Sequence, residues 1–226
     1  MSEKKTKVIA IEGIDGSGKS VQFAELKKRC LAAGLRVDSR EFPVYESFFG
    51  SAVGRYLSGS GGVRADAVDG RSMALWYALD RWENLSDYRD GESDVLLFNR
   101  YVLSNAVYQS TRDIDLEQPD IIDWVFELEY EHFGLPKADV FIFYDVDTAQ
   151  AGANILKKGR RDYLGEGKDV YEASESMQAR VRAKYLETAA RRQDVLVIDC
   201  MANGLFRSVE DIAAETFQAL KQRHIL

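Results

Sequence analysis

Positive charge is in deficit in this chain: 30 Lys and Arg face 37 Asp and Glu, for a net charge of −7. A protein built to hold a polyanion is usually basic, so DNA, RNA and anionic membrane surfaces are poor main partners. Small phosphorylated ligands stay compatible, because one loop can be positive on an acidic protein. Thiols and imidazoles are scarce too. Cys30 and Cys200 are the only cysteines and His132 and His224 the only histidines, and none stands at metal-ligand spacing. One disulfide is formally open, but reduced packing residues in a cytoplasmic protein are the reading favoured here. No apolar run approaches the ~20 residues of a membrane span. The first such run follows a polar, basic stretch, Met1 to Lys7, and stops at Glu12, too short for a signal peptide. Internal repeats and low-complexity tracts are also missing.

What is present fits a single globular domain. The 226 residues are 46% hydrophobic, enough for a well-buried core over 1–226 with room for a small lid. Short apolar runs alternate with longer helical patterns. Strands are predicted at Val8–Ile11, Arg36–Phe42, Val95–Phe98, Val140–Tyr144 and Val195–Ile198. Most of these runs are continuous rather than alternating, which suits a parallel sheet covered on both faces. Strands separated by helices predict a doubly wound α/β fold, with ligands gathered beyond the carboxyl ends of the strands.

The stretch Gly13-Ile-Asp-Gly-Ser-Gly-Lys-Ser20 lies between the first strand and a helix predicted from Ser20 to Ala33. That is the setting of a phosphate-binding loop. Gly13, Gly16 and Gly18 let the backbone curl so that successive N–H groups, including that of Ser17, point at phosphate oxygens. The helix N-terminus adds partial positive charge. Lys19 can neutralise the β- and γ-phosphates of a nucleoside triphosphate, and the Ser20 hydroxyl can ligate magnesium.

Other segments carry weaker signals. Phe42-Pro43-Val44-Tyr45 follows the second strand, and Tyr45 is placed equally well to reach a ligand or to pack. Ser58 to Gly70, rich in Gly and Ser, reads as a loop. A long helix is predicted over Arg71–Asp90, with Leu75, Leu79 and Trp82 on its core face. Tyr77 and Arg81 lie one turn apart on another face, where they could hold a nucleobase or form a half-buried tyrosine beside a surface ion pair. Asn99-Arg100-Tyr101 ends the third strand, and no Asp-x-x-Gly switch of a GTPase follows. Asn105 and Gln109, again one turn apart, could match the edge of a pyrimidine or form a solvated face. The run Lys157-Lys158-Gly159-Arg160-Arg161 beside a Gly-containing stretch reads as a lid closing over triphosphate. Ser208-Val-Glu-Asp211 is a capping box opening a last helix to about Lys221.

Taken in this order, the segments resemble the thymidylate kinase family, whose members pass a phosphoryl group from ATP to dTMP. The resemblance runs from about Lys7 to Ile198. It rests on Glu12 to Ser20, Phe42 to Tyr45, Tyr77-Ala-Leu-Asp-Arg81, Asn99 to Asn105 with Tyr108, Gly134-Leu-Pro-Lys137 and Asp169-Val-Tyr-Glu172. It implies a P-loop NTPase-like five-stranded parallel sheet with flanking helices, a lid at about 157–170 and a homodimer. ATP is the implied co-substrate and Mg²⁺ the implied cofactor, held by Ser20 and, through a water, Asn99. Asp15 looks like the carboxylate that meets the sugar 3′-hydroxyl and helps organise the metal site. Tyr77 corresponds to the ring stacked on thymine, Arg81 to the arginine at its edge, and Asn105 falls where the base is read. Tyr108 and Tyr171 fall where rings crowd the 2′ position. Phe42 and Tyr45 belong to the implied acceptor site, and Arg100 matches the arginine near the acceptor phosphate. With Gly16 in the loop and Arg160 and Arg161 in the lid, the chain is similar to the members whose catalytic arginine sits in the lid.

Two positions depart from the family pattern. The usual Asp-Arg-Tyr is Asn99-Arg100-Tyr101, a loss of charge worth ~10–100-fold in metal affinity, or about 1.4–2.8 kcal/mol. Some relatives carry arginine where Val44 stands, although Arg40 is close in sequence. A kinase for another pyrimidine nucleotide or deoxynucleoside, or a catalytically weakened nucleotide-binding paralogue, are the alternative readings.

Overall fold

Five strands, β1 (Lys7–Glu12), β2 (Val37–Glu41), β3 (Val95–Asn99), β4 (Val140–Asp145) and β5 (Val195–Asp199), form a parallel sheet in the order β2-β3-β1-β4-β5. The computed structural model describes residues 6–60, 62–112, 119–158 and 175–226. The three central strands are buried almost throughout, which their continuous apolar sequences require. The edge strands are polar or alternating: β2 reads Val-Asp-Ser-Arg-Glu and is only half-buried. Charged side chains at an edge guard it against pairing with another chain.

Helices α1 (Lys19–Ala32), α2 (Phe48–Ser58), α3 (Gly70–Asn84), α4 (Val102–Arg112), α5 (Ile122–Glu127), α6 (Thr148–Lys158), α7 (Glu175–Arg191) and α8 (Val209–Gln222) connect and flank the strands. Helix α1 packs on α8 and on β2 and β3, while α4 packs among α3, α5 and α7. Ser208 caps α8, its hydroxyl accepting from the Asp211 N–H at 3.0 Å, as the capping box predicts. After β5 a small hairpin, Met201–Ala202 with Leu205–Phe206, turns at Asn203 and Gly204, both at positive φ. Asn-Gly is the signature of such a turn. Cys30 and Cys200 are free and buried. Among the described residues no helix is long and apolar enough to cross a membrane.

Helix α3 corrects the sequence reading twice. It ends at Asn84 rather than Asp90, because the chain beyond is drawn to the start of β1: Asp90 accepts from the Thr6 N–H at 3.0 Å. Its core face is Met73, Ala74, Ala78 and Arg81, whereas Leu75 is 39% and Trp82 51% exposed. Helical spacing identifies residues that share a face but not which face meets the core. Here small residues allow close packing, and the buried Arg81 has a buried partner.

Candidate active site

The loop leaving β1 is shaped by its glycines. Gly16 and Gly18 have φ of 80° and 85°, and Gly18 is the left-handed cap from which α1 starts. A Cβ on Gly16 would lie 2.1 Å from the Ala151 carbonyl oxygen, so α6 leaves no space for a side chain there. The Asn154 side chain also donates to the Gly16 carbonyl at 3.1 Å. Lys19 is buried, and its Nζ donates to the Ile14 carbonyl at 2.6 Å, folding the side chain back over its own loop. The Ser17 hydroxyl is buried with no hydrogen-bond partner among the described residues, and the Ser20 side chain at the head of α1 is exposed.

The tip of β3 supplies the second half of the site. Arg100 has φ 66°, rare for a residue with a side chain, and its N–H donates to the Ile11 carbonyl at 2.9 Å. This turn delivers the guanidinium to Asp15 at 2.5 Å and over the Tyr108 ring at 5.2 Å. Burial works against the Arg100 charge, but Asp15 outweighs it and the guanidinium pKa ends well above its usual value. Asp15 is further held by Gln178 Nε2 and the Tyr108 hydroxyl, each at 3.2 Å, and Gln178 Oε1 accepts from the Asp15 N–H. Gln178, on α7, is a site residue that sequence reading missed, since a lone glutamine on a polar helix carries no signal.

Beneath this pair lies Glu12, fully buried. Its carboxylate accepts from the Tyr101 N–H, Ser104 and Tyr185. Burial raises its pKa above the usual carboxylate range despite these donors. Glu12 therefore supports the loop from below rather than facing a ligand.

A cavity of about 270 Å³ opens above the loop, lined among others by Asp15, Lys19, Ser20, Glu41, Tyr45 and Arg100. Phe42 and Asn99 line it as well. Asn99 Nδ2 donates to Glu41 at 2.6 Å and lies 3.5 Å from the Ser20 hydroxyl. The predicted neighbourhood of Ser20 and Asn99 is therefore present. Arg40 does not reach the cavity: it is held by Asp38 and Asp87.

A second buried cluster joins α3, α4 and the π-helical turn Leu128–His132 that continues α5. Arg81 donates through Nε and Nη2 to the Glu129 carboxylate at 2.6 and 2.5 Å, and both residues are almost fully buried. The option of a surface ion pair at Arg81 is thereby excluded. Asn105 Nδ2 donates to Glu129 at 2.8 Å, while its Oδ1 is buried without a partner among the described residues. Asn105 and Gln109 are both buried, so the solvated-face option fails too. Glu129 was not legible in the sequence, because it lies in an acidic stretch that reads as surface. Tyr77 is half-buried on the same helix as Arg81. Arg160, Arg161 and Tyr171 lie outside the described residues.

The strand order, the glycine loop and the helix that starts from it define a P-loop nucleotide-binding α/β protein. A family model described as thymidylate kinase matches residues 11–212. The chain belongs to the thymidylate kinase family and is an ATP-dependent nucleoside monophosphate kinase. It is 34% identical over 187 residues to the thymidylate kinase of Mycobacterium tuberculosis (strain ATCC 25618 / H37Rv), covering 81% of this chain and 86% of that one. It is also 34% identical over 213 residues to the thymidylate kinase of Leifsonia xyli, covering 92% and 90%. A solved structure of thymidylate kinase from Candida albicans superposes with a TM-score of 0.70 at 20% identity, over 98% of this chain and 93% of that one.

Proposed function

We propose that this chain, as a single kinase domain over 1–226, transfers the γ-phosphoryl group of ATP to dTMP, giving ADP and dTDP. The observation that carries the reading is the convergence of Lys19, Ser20, Asp15 and Arg100 on one cavity beside Phe42 and Tyr45. The bond from the γ-phosphorus to the bridging oxygen of ADP breaks, and a bond to a phosphate oxygen of dTMP forms. That oxygen is already ionised, so no side chain has to remove a proton. Catalysis then rests on alignment and on neutralising charge.

Residue roles follow from position. The loop N–H groups from Gly13 to Ser20 hold the phosphates of ATP, and Lys19 exchanges its contact with Ile14 for the β- and γ-phosphates. Arg100, fixed by Asp15 and Tyr108, faces the phosphate of dTMP. Tyr77 stacks on the base and Arg81 bonds its edge, while the Oδ1 of Asn105, without a partner among the described residues, accepts from its N3–H; Glu129 ties Arg81 to Asn105. Tyr108 and Tyr171 limit space at the sugar. Arg160 and Arg161, in a lid at about 157–170, close over the phosphates and exclude water, which would otherwise hydrolyse ATP. The oxygen-rich surroundings of Ser20, with the buried Asn99 Oδ1 that has no partner among the described residues, suit a hard divalent cation such as Mg²⁺. Ser20 and Asn99 would hold it, and it would neutralise charge on the β- and γ-phosphates.

Phe48, Leu75 and Trp82 expose large apolar surface on α2 and α3, which supports a homodimer through this face. Sedimentation at micromolar concentration tests it, with a monomer overturning the assignment. The enzyme is read as cytoplasmic.

The deciding experiment is ADP release with ATP and Mg²⁺, comparing dTMP, dUMP, dCMP, dGMP and thymidine with no acceptor. Turnover strongest with dTMP is expected. A pocket that merely accommodates the thymine methyl separates dTMP from dUMP by only ~1–3 kcal/mol. Turnover strongest with another acceptor would move the specificity, and none with any acceptor would leave a nucleotide-binding protein without kinase activity.

A further inference from the structure

In P-loop proteins the cation at the loop hydroxyl is usually held also by an aspartate at the tip of a neighbouring strand. Here the tip of β3 is Asn99, which brings no charge. The adjacent strand, β2, ends at Glu41, paired in register with Asn99. The Glu41 carboxylate accepts from Asn99 Nδ2 at 2.6 Å, and that same Nδ2 lies 3.5 Å from the Ser20 hydroxyl. Glu41 is exposed and lines the cavity together with Ser20 and Asn99.

A hydrogen bond inside a polar cluster is not in itself a site. The independent observation is the other end of the amide. Asn99 is only 8% exposed, and its Oδ1 has no partner among the described residues. A buried carbonyl oxygen without a donor is costly. The bond to Glu41 fixes the amide so that this oxygen is the end left over. An amide with one end committed to a carboxylate keeps at its other end an acceptor, buried in the ligand-free protein, that a cation-bound water would satisfy.

We propose that Glu41 supplies the negative charge of the divalent-cation site, with Asn99 as the residue that positions it. The charge found on the tip of one strand elsewhere is thus delivered from the next strand. An aspartate at 99 would face the Glu41 carboxylate at hydrogen-bond distance, so the neutral amide and the neighbouring carboxylate act as a matched pair. This rests on the reading of the loop as a cation-assisted ATP site.

The test measures Mn²⁺ as the probe, by electron paramagnetic resonance with the full chain and ATP, beside ATP binding in EDTA. Glu41→Gln is expected to weaken Mn²⁺ binding in the ATP complex ~10–100-fold while leaving metal-free ATP affinity within about twofold. The exchange variant Glu41→Gln/Asn99→Asp is expected to recover most of the loss, by returning the carboxylate to β3. A Glu41→Gln protein that holds Mn²⁺ as tightly as the parent overturns the proposal. So does one in which metal-free ATP binding falls in step, or an exchange variant with no recovery. If the parent itself binds ATP equally with and without Mn²⁺, the cation-assisted reading falls, and this proposal with it.

Discussion

Arg100 reaches Asp15 at 2.5 Å from a backbone conformation, φ 66°, that side chains other than glycine rarely adopt. Backbone strain of this sort costs on the order of 1–3 kcal/mol and persists where surroundings over-determine it. The Arg100 N–H to Ile11, the Tyr108 ring and the Asp15 carboxylate are those surroundings. Arg100→Met should keep a cooperative fold and lower kcat with dTMP by ~10²–10³, the usual cost of removing one preorganised charge donor. Steady-state kinetics beside a thermal melt checks this. A variant with nearly full kcat would remove Arg100 from the acceptor site.

Lys19→Ala removes the one loop cation without touching the glycine turns. Turnover should fall at least tenfold, with the melting temperature little changed. A variant that keeps more than about a tenth of parental turnover would contradict the phosphate-binding role.

Gly16→Ala tests the approach of α6 to the loop. The new methyl would lie 2.1 Å from the Ala151 carbonyl oxygen at a φ of 80°, so loop or helix must move. A loss of about 1–3 kcal/mol in urea unfolding is expected, with ATP affinity weakened. Gly18→Ala, whose Cβ would meet nothing within 4 Å, carries only the cost of positive φ and should be the milder change.

The Arg81–Glu129 pair is buried on both sides. Removing one partner strands the other, and Glu129→Ala should destabilise the fold by about 3–5 kcal/mol. Arg81→Met/Glu129→Leu should recover much of that stability while leaving dTMP binding impaired, which calorimetry on the double variant would reveal. Full dTMP affinity in that protein would show that this cluster serves packing alone.

Glu12 has its folded pKa raised above 4.5 by burial. Between the unfolded and folded values the native state binds more protons, so stability falls as pH rises through that window. Glu12→Gln removes this contribution. Relative to the parent, the variant should gain stability as pH rises from 4.5, read as the difference in urea midpoints. Parallel pH profiles would show that the folded protein does not hold the Glu12 proton.

The loop from Gly13 to Ser20 was legible because its chemistry is local: consecutive residues form the turn, the lysine and the hydroxyl. The central strands were legible because burial on both faces demands unbroken apolar runs. Helix α3 was misread in its facing because Leu75, Leu79 and Trp82 form a good apolar stripe, and periodicity has no term for what lies opposite. Glu129, Gln178 and Glu41 gave no local sign, since each acts through a partner distant in sequence. Arg40 looked available from its position, but it is held by Asp38, two residues away, and by Asp87, 47 residues on, which no short window contains.

Read alone, then, the amino-acid order determined the strand-loop-helix that binds phosphate, the parallel α/β class and the family. Each depends on contacts between near neighbours or on the average burial of a segment. Tertiary structure decided which face of α3 is inside, which carboxylate meets Arg81, and which strand brings charge to the Ser20 corner. Those outcomes depend on side chains far apart in the chain, whose pairing is set by the approach of whole strands and helices.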